Sequence, residues 1–158
     1  MPRETWDALR RNVAEEMEAM QAAVDAYDEA AAKLLRVNRT DLRCLELLNQ
    51  HGELTPSRLG AEVGLTTGSV TAMIDRLERL GYLTRCPDPT DRRKVLIRLT
   101  DAARQKAWEL YGPFVTEGET LMRDYTAADL ELLAGFLRRS RELYERQLER
   151  ALQEHDQR

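Results

Sequence analysis

The residues best equipped for chemistry form a cationic cluster. Arg92, Arg93 and Lys94 follow Asp91 at the end of a segment, Cys86-Pro87-Asp88-Pro89-Thr90-Asp91-Arg92-Arg93, that two prolines stiffen. Upstream, Thr67-Gly68-Ser69-Val70-Thr71 is small and hydroxyl-rich. If it opens a helix, its free amides attract phosphate, its hydroxyls can bond to polar edges, and its small residues let a partner approach the backbone. Arg76 is the one long cation in the middle of that helix. It can reach outward to a phosphate or a base edge, or pair inward with Glu62 or a neighbouring acid. Such groups suit contact with a polyanion. No nucleophile–base–acid set, phosphate loop or carboxylate pair stands out, so an enzyme is not expected. His51 and His155 are the only histidines, so neither a metal nor a cofactor is implied.

The flanking sequence must hold these groups in place. Thr55 before Pro56 reads as a helix start, a capping hydroxyl followed by a proline tolerated at the first helical position. Gly64 can take the left-handed conformation that ends that helix, and Thr66 caps the next, with Ser69 three residues on. Leu59, Val63, Leu65, Val70, Ile74 and Leu77 supply apolar contacts between the two helices, and Gly60 is small where they cross. This is a helix-turn-helix pattern, whose second helix is the one that enters a DNA major groove. Val70 could meet a thymine methyl, but its spacing with Ile74 and Leu77 favours the core. Leu80-Gly81 ends the second helix, and Tyr82–Arg85 and Lys94–Leu99 read as two strands around the cationic tip. A helix-turn-helix followed by such a hairpin is a winged helix.

At these residues a resemblance becomes specific. LTPSRLGAEVGL, SVTAMIDRLERLGYLTR and above all DPTDRRKVLIRLT resemble the DNA-binding lobe of the MarR family of bacterial transcription regulators. Asp91-Arg92-Arg93 is similar to the family's D-x-R wing signature. The resemblance implies that Arg93 enters a minor groove, held by an ion pair from Asp91, a placement favoured by the strong negative potential there. Arg92 and Lys94 would contact phosphates, and Arg85 and Arg98 are strand-surface charges. Thr67, Gly68, Ser69, Thr71 and Arg76 complete the candidate DNA-binding set. Ala72 departs from the pattern, because many family members carry a longer polar side chain there.

The 158 residues carry a net charge of −4, which by itself argues against a DNA-binding protein. Its distribution reverses the argument: residues 55–99 hold eight basic and five acidic groups, out of 24 and 28 in the chain. A basic lobe thus sits within an acidic chain. The expected fold is mainly α with a small β-hairpin wing, a winged helix-turn-helix lobe over residues 40–100 of a single MarR-like chain, 1–158. Residues 3–36 and 101–152 form the helical dimerisation lobe. Trp6, Leu9, Val13, Met17, Met20, Val24, Tyr27, Ala31 and Leu34 make one apolar stripe, and Leu130, Leu133, Leu137, Tyr144 and Leu148 another. These stripes would interlock between two copies of the chain, although a helix pair within one chain is the alternative. A two-fold dimer presents its recognition helices to half-sites ~10 bp apart, hence to a near-palindromic operator. Gly112-Pro113 falls inside the helix that begins after Thr100-Asp101, and a kink near Tyr111 is expected rather than a stop.

No apolar run approaches the ~20 residues of a membrane span, and the N-terminus lacks an apolar signal core, so a cytoplasmic protein is expected. MarR-like regulators often bind small aromatic or phenolic ligands where the dimer body meets the DNA lobe. By position, Tyr27, Cys44, Trp108 and Tyr111 could line such an effector pocket, although aromatics at helical spacing are more often core. The full expectation is a repressor, released by a small-molecule effector. Two alternatives stand beside it: a thiol-based redox regulator using Cys86 beside Arg85, and a winged-helix protein-interaction module that does not bind DNA.

Overall fold

The computed structural model describes residues 3–91 and 93–156, with side chains over residues 5–91 and 93–154. The elements in order are α1 (Arg3–Leu35), α2 (Arg39–His51), β1 (Glu53–Leu54), α3 (Pro56–Val63), α4 (Thr67–Arg79), β2 (Leu83–Pro87), β3 (Val95–Leu99), α5 (Asp101–Met122) and α6 (Ala127–Asp156). The chain divides into two compact units, Met1–Tyr111 and Gly112–Arg158. Mainly α with a small antiparallel sheet is the observed class, as the sequence implies. No described helix is long and apolar enough to cross a membrane.

Local rules set most boundaries of the first unit. Asn38 caps α2 through a reciprocal pair of bonds with Asp41, Thr55 accepts from the Arg58 amide ahead of Pro56, and Thr66 accepts from the Ser69 amide. The helix ends close alike. Leu65 N donates to Gly60 O and Tyr82 N to Leu77 O, each over a left-handed glycine, Gly64 (φ 69°) and Gly81 (φ 76°). At the end of α1 the same closure, Val37 N to Ala32 O, runs over Arg36 at φ 55°, a conformation that glycine adopts more readily.

The core of this unit joins α2, the helix-turn-helix and the sheet. Leu59, Leu77 and Ile97 are wholly buried, alongside Leu47, Leu48, Met73, Ile74 and Leu83. Each such side chain contributes about 2 kcal/mol when removed from water. Val70 is also buried, so the core reading of that residue holds. The sheet order is β1-β3-β2. Strand β2 begins one residue later than the sequence suggests and runs on to Pro87, opposite Val95. Tyr82 is drawn instead into closing α4. Strand β1 was not expected, since two residues carry no periodicity; it pairs Glu53 with Arg98 and Leu54 with Ile97.

The second unit holds the end of α5 and all of α6. Helix α5 continues through Pro113 to Met122 without a stop. Thr126 caps α6, and Asp129 returns bonds to the Thr126 amide and hydroxyl. Leu132, Leu137, Tyr144, Leu148 and Leu152 are all more than half exposed.

Candidate nucleic-acid interface

Helix α4 presents a bare, small first turn. Thr67, Gly68, Ser69, Thr71 and Ala72 are exposed, and a Cβ built on Gly68 would meet nothing within 4 Å. Thr66 Oγ1 donates to Ser69 Oγ, and Thr71 Oγ1 donates to Thr67 O, so neither donor is spent on a distant element. Opposite this face, Val70, Met73, Ile74 and Leu77 anchor the helix in the core.

The wing is organised by its own acids. Asp88 Oδ1 accepts from Thr90 N, Thr90 Oγ1 and Asp91 N at 2.7, 2.6 and 3.2 Å, the folding of a tight polar turn. The Thr90 hydroxyl and then its amide hold the Asp88 carboxyl below its ordinary pKa. Asp88 N to Lys94 O and Lys94 N to Asp91 O close the base of the tip. Arg85 bridges Asp75 and Glu78, which ties β2 to α4.

The Asp91–Arg93 relation differs from the expected one. Asp91 Oδ1 accepts from the Arg93 backbone amide at 3.1 Å, and its Oδ2 lies 3.7 Å from Lys94 Nζ. The short Asp side chain closes a local turn two residues on before it can reach a guanidinium. Arg93 is exposed and, among the described residues, has no ion pair. Arg92 lies outside the described residues.

Arg76 also takes a different place. Its Nε and one terminal nitrogen donate to Asp41 Oδ2 and Oδ1 at 2.9 and 2.5 Å. This two-point bond, chiefly its hydrogen bonds, holds the guanidinium above its ordinary pKa. The inward pair forms with Asp41 and not with Glu62, which stands 3.9 Å from Arg58 instead. The fork is gripped at two nitrogens, which leaves one terminal nitrogen on a side chain that is 41% exposed. Arg98 pairs with Glu53 at 3.7 Å, an ordinary strand-surface charge. Arg79, which the sequence reading passed over, is exposed at the end of α4 and has no ion pair among the described residues; its Nε donates to Asp75 O.

A cavity of about 310 Å³ lies within the first unit. Leu35, Leu42, Leu45, Leu99, Ala103 and Ala107 form its apolar wall, and Glu46, Asn49, Tyr82, Lys106 and Tyr111 supply polar atoms. Lys106 Nζ sits 5.0 Å from the centre of the Tyr82 ring. The Tyr111 hydroxyl donates to Glu46 at 3.4 Å, and burial, then the charge of Glu46, pushes its pKa up. Of the four expected pocket residues, Tyr111 alone lines this cavity. Tyr27 meets the Tyr111 ring edge-on at 5.8 Å and donates to Leu110 O. Trp108 is 63% exposed, and Cys44 is sealed in the core. The reason is helical phase: Leu42, Leu45, Glu46 and Asn49 share one face of α2, and Cys44 faces another way. That face of α2 was the signal to follow.

The MarR family model matches residues 37–95 of the chain. Over 127 residues the chain is 40% identical to the HTH-type transcriptional regulator YcgE of Bacillus subtilis, spanning 80% of this chain and 82% of that protein. It spans about half the length, 48%, of two further curated regulators that it matches. Among solved structures it is similar to YusO from Bacillus subtilis (TM-score 0.58, 21% identity, 86% of this chain and 96% of that one). It is similar also to NadR in complex with 4-hydroxyphenylacetate (TM-score 0.57, 19% identity, 80% of this chain and 89% of that one). At those identities the structures establish a likeness of fold.

Proposed function

This chain belongs to the MarR family of DNA-binding transcription regulators, and from that premise we propose that it is a repressor, acting as a homodimer on a near-palindromic operator and released by a small aromatic or phenolic ligand. The observation that carries the DNA-contact reading is the sorting of charge. Arg58, Arg76, Arg85 and Arg98 are engaged with acids, while Arg93 stands exposed on the wing without an ion pair among the described residues. A cation with no competing partner yields its full charge to a phosphate or a groove. The contact set is Thr67, Gly68, Ser69, Thr71, Arg93 and Lys94, with Asp91 as the residue that shapes the tip. Arg92 joins it from the resemblance alone. The homodimer reading is supported by α1, on which Trp6, Leu9, Val13, Met20 and Val24 are 46–57% exposed at one helical spacing. The effector reading is supported by the cavity, apolar with a few convergent polar groups, and by the phenolic acid named with NadR.

The test is a titration against a duplex that the wild-type protein itself selects from random sequence, repeated at several salt concentrations. Arg93→Ala should weaken binding to selected and unrelated duplexes alike and lower the salt slope by about one phosphate-equivalent per protomer. Unchanged affinity in that variant would remove Arg93 from the interface.

A further inference from the structure

Among the described residues, one ion pair joins helix α4 to α2, and it sets a buried carboxylate, Asp41, against a guanidinium, Arg76, whose side chain is 41% exposed. Asp41 is 1% exposed, and Arg76 lies 35 residues away in sequence. Both carboxylate oxygens are engaged: Oδ1 takes one Arg76 nitrogen, and Oδ2 takes Arg76 Nε and the Asn38 amide at 3.4 Å. Among the described residues no buried side-chain polar atom lacks a partner. Apart from the Arg85 bridge from β2 to Asp75 and Glu78, α4 is held by apolar packing, which is non-directional and tolerates small slides and rotations. A planar fork on a carboxylate does not, since both bonds hold only at one distance and one angle. A buried ion pair adds little to stability over apolar side chains of the same volume; its attested use is to fix register.

Arg76 lies about one and two turns beyond Ala72 and Ser69, on the same side of α4. A shift at Arg76 therefore moves the exposed first turn directly. We propose that Asp41 and Arg76 are a positioning pair: they set the angle at which α4 presents Thr67, Ser69 and Thr71, and so govern sequence preference without touching DNA. The inference rests on the regulator reading above. It also makes α2 a two-faced element, because Leu42 and Glu46 line the cavity while Asp41 grips α4.

The test compares Asp41→Asn, Arg76→Gln and the double variant on the selected duplex and on an unrelated one. Binding is referred to the folded fraction measured by thermal melting. Each single variant should lose about tenfold of the preference for the selected duplex, the discrimination of one base contact. The double variant should lose no more than either, since the two residues act as one unit. The salt slope should stay at the wild-type value, because no phosphate contact is lost. Arg76→Lys, which keeps the charge and loses the fork, should behave as Arg76→Gln does, and it carries the test if Asp41→Asn fails to fold. A slope lowered in Arg76→Gln, with full preference in Asp41→Asn, would make Arg76 a DNA contact and overturn the proposal. Unchanged preference in every folded variant would reduce the pair to a stabilising one and overturn it too. If the wild-type protein prefers no duplex at all, the regulator reading fails first and this assignment falls with it.

Discussion

Replacing Gly60 by Ala tests the helix crossing on which the whole reading face depends. A Cβ at that position would stand 2.8 Å from Val70 Cγ2 and 3.3 Å from Leu65 O. Carbon atoms in van der Waals contact stand about 3.5–4.0 Å apart, so the overlap with Val70 approaches an ångström. Neither neighbour can yield easily. Val70 is 3% exposed and β-branched, hence stiff at its first torsion. The Leu65 carbonyl is backbone, and the Leu65 amide is itself bonded to Gly60 O at 2.9 Å. Overpacking of this kind costs about 1–3 kcal/mol. Alanine recovers about 0.5–1 kcal/mol of helix propensity over glycine. The net loss should therefore be about 1 kcal/mol. Urea denaturation followed by far-ultraviolet circular dichroism, at one protein concentration, would read it. The companion variant Val70→Ala removes the struck methyl, so Gly60→Ala should be neutral or stabilising in that background. A non-additivity of about 1 kcal/mol between the two sites would result. If Gly60→Ala stabilises the otherwise wild-type protein, or if the two changes add, the close crossing is not what holds α3 on α4.

Two further outcomes follow from burial. Burial, and then the charge of Asp41, pushes the Cys44 thiol up to about 12 from an ordinary value of 9.0. Native protein should therefore offer an aromatic disulfide reagent only Cys86, with Cys44 reacting on unfolding. The same shift carries a sign for stability: above pH 9 the unfolded thiol ionises and the folded one does not, so stability falls as pH rises from about 9 to about 12. The loss is the wild-type decline in excess of that of Cys44→Ala, measured by urea midpoints below pH 9 and at about pH 10. An equal decline in both would mean that Cys44 is not shielded. For assembly, Val13→Glu and Leu137→Glu each place a carboxylate on an exposed apolar stripe. If the wild-type chain is the proposed dimer, sedimentation velocity should then find monomer; a dimer surviving both changes would put the interface elsewhere.

Much of the lobe was legible because its rules are local. Caps at Thr55, Thr66 and Thr100 need only a hydroxyl and an amide three residues on, and Gly64 and Gly81 need only freedom from a Cβ. Such signals lie within one turn and survive any tertiary arrangement. What escaped was decided by distance and phase. The partner of Arg76 is 35 residues away, and nothing in the spacing of α4 distinguishes Asp41 from Glu62. The cavity drew residues by helix face, so counting aromatics found Tyr111 and missed Leu42, Glu46 and Lys106. Even the wing shows this limit, because Asp91 meets Arg93 at its backbone amide where the resemblance implies an ion pair with its side chain.

The charge count carries the same lesson into function. Residues 55–99 hold eight basic side chains, yet a sum does not say which of them a partner can use. Arg58, Arg76, Arg85 and Arg98 each stand against an acid, and Arg85 holds the wing to α4 by doing so. Their charges orient the lobe and are largely cancelled at a distance. Among the described residues, Arg79, Arg93 and, less completely, Lys94 remain for an anion. They sit at the end of α4 and on the wing, while the exposed first turn of α4 offers hydroxyls and amides without charge. In the proposed contact, attraction then comes from these cations and little from the neutral first turn. In the positioning role proposed for it, the Asp41–Arg76 fork sets how accurately that neutral turn is presented, and with it the sequence preference.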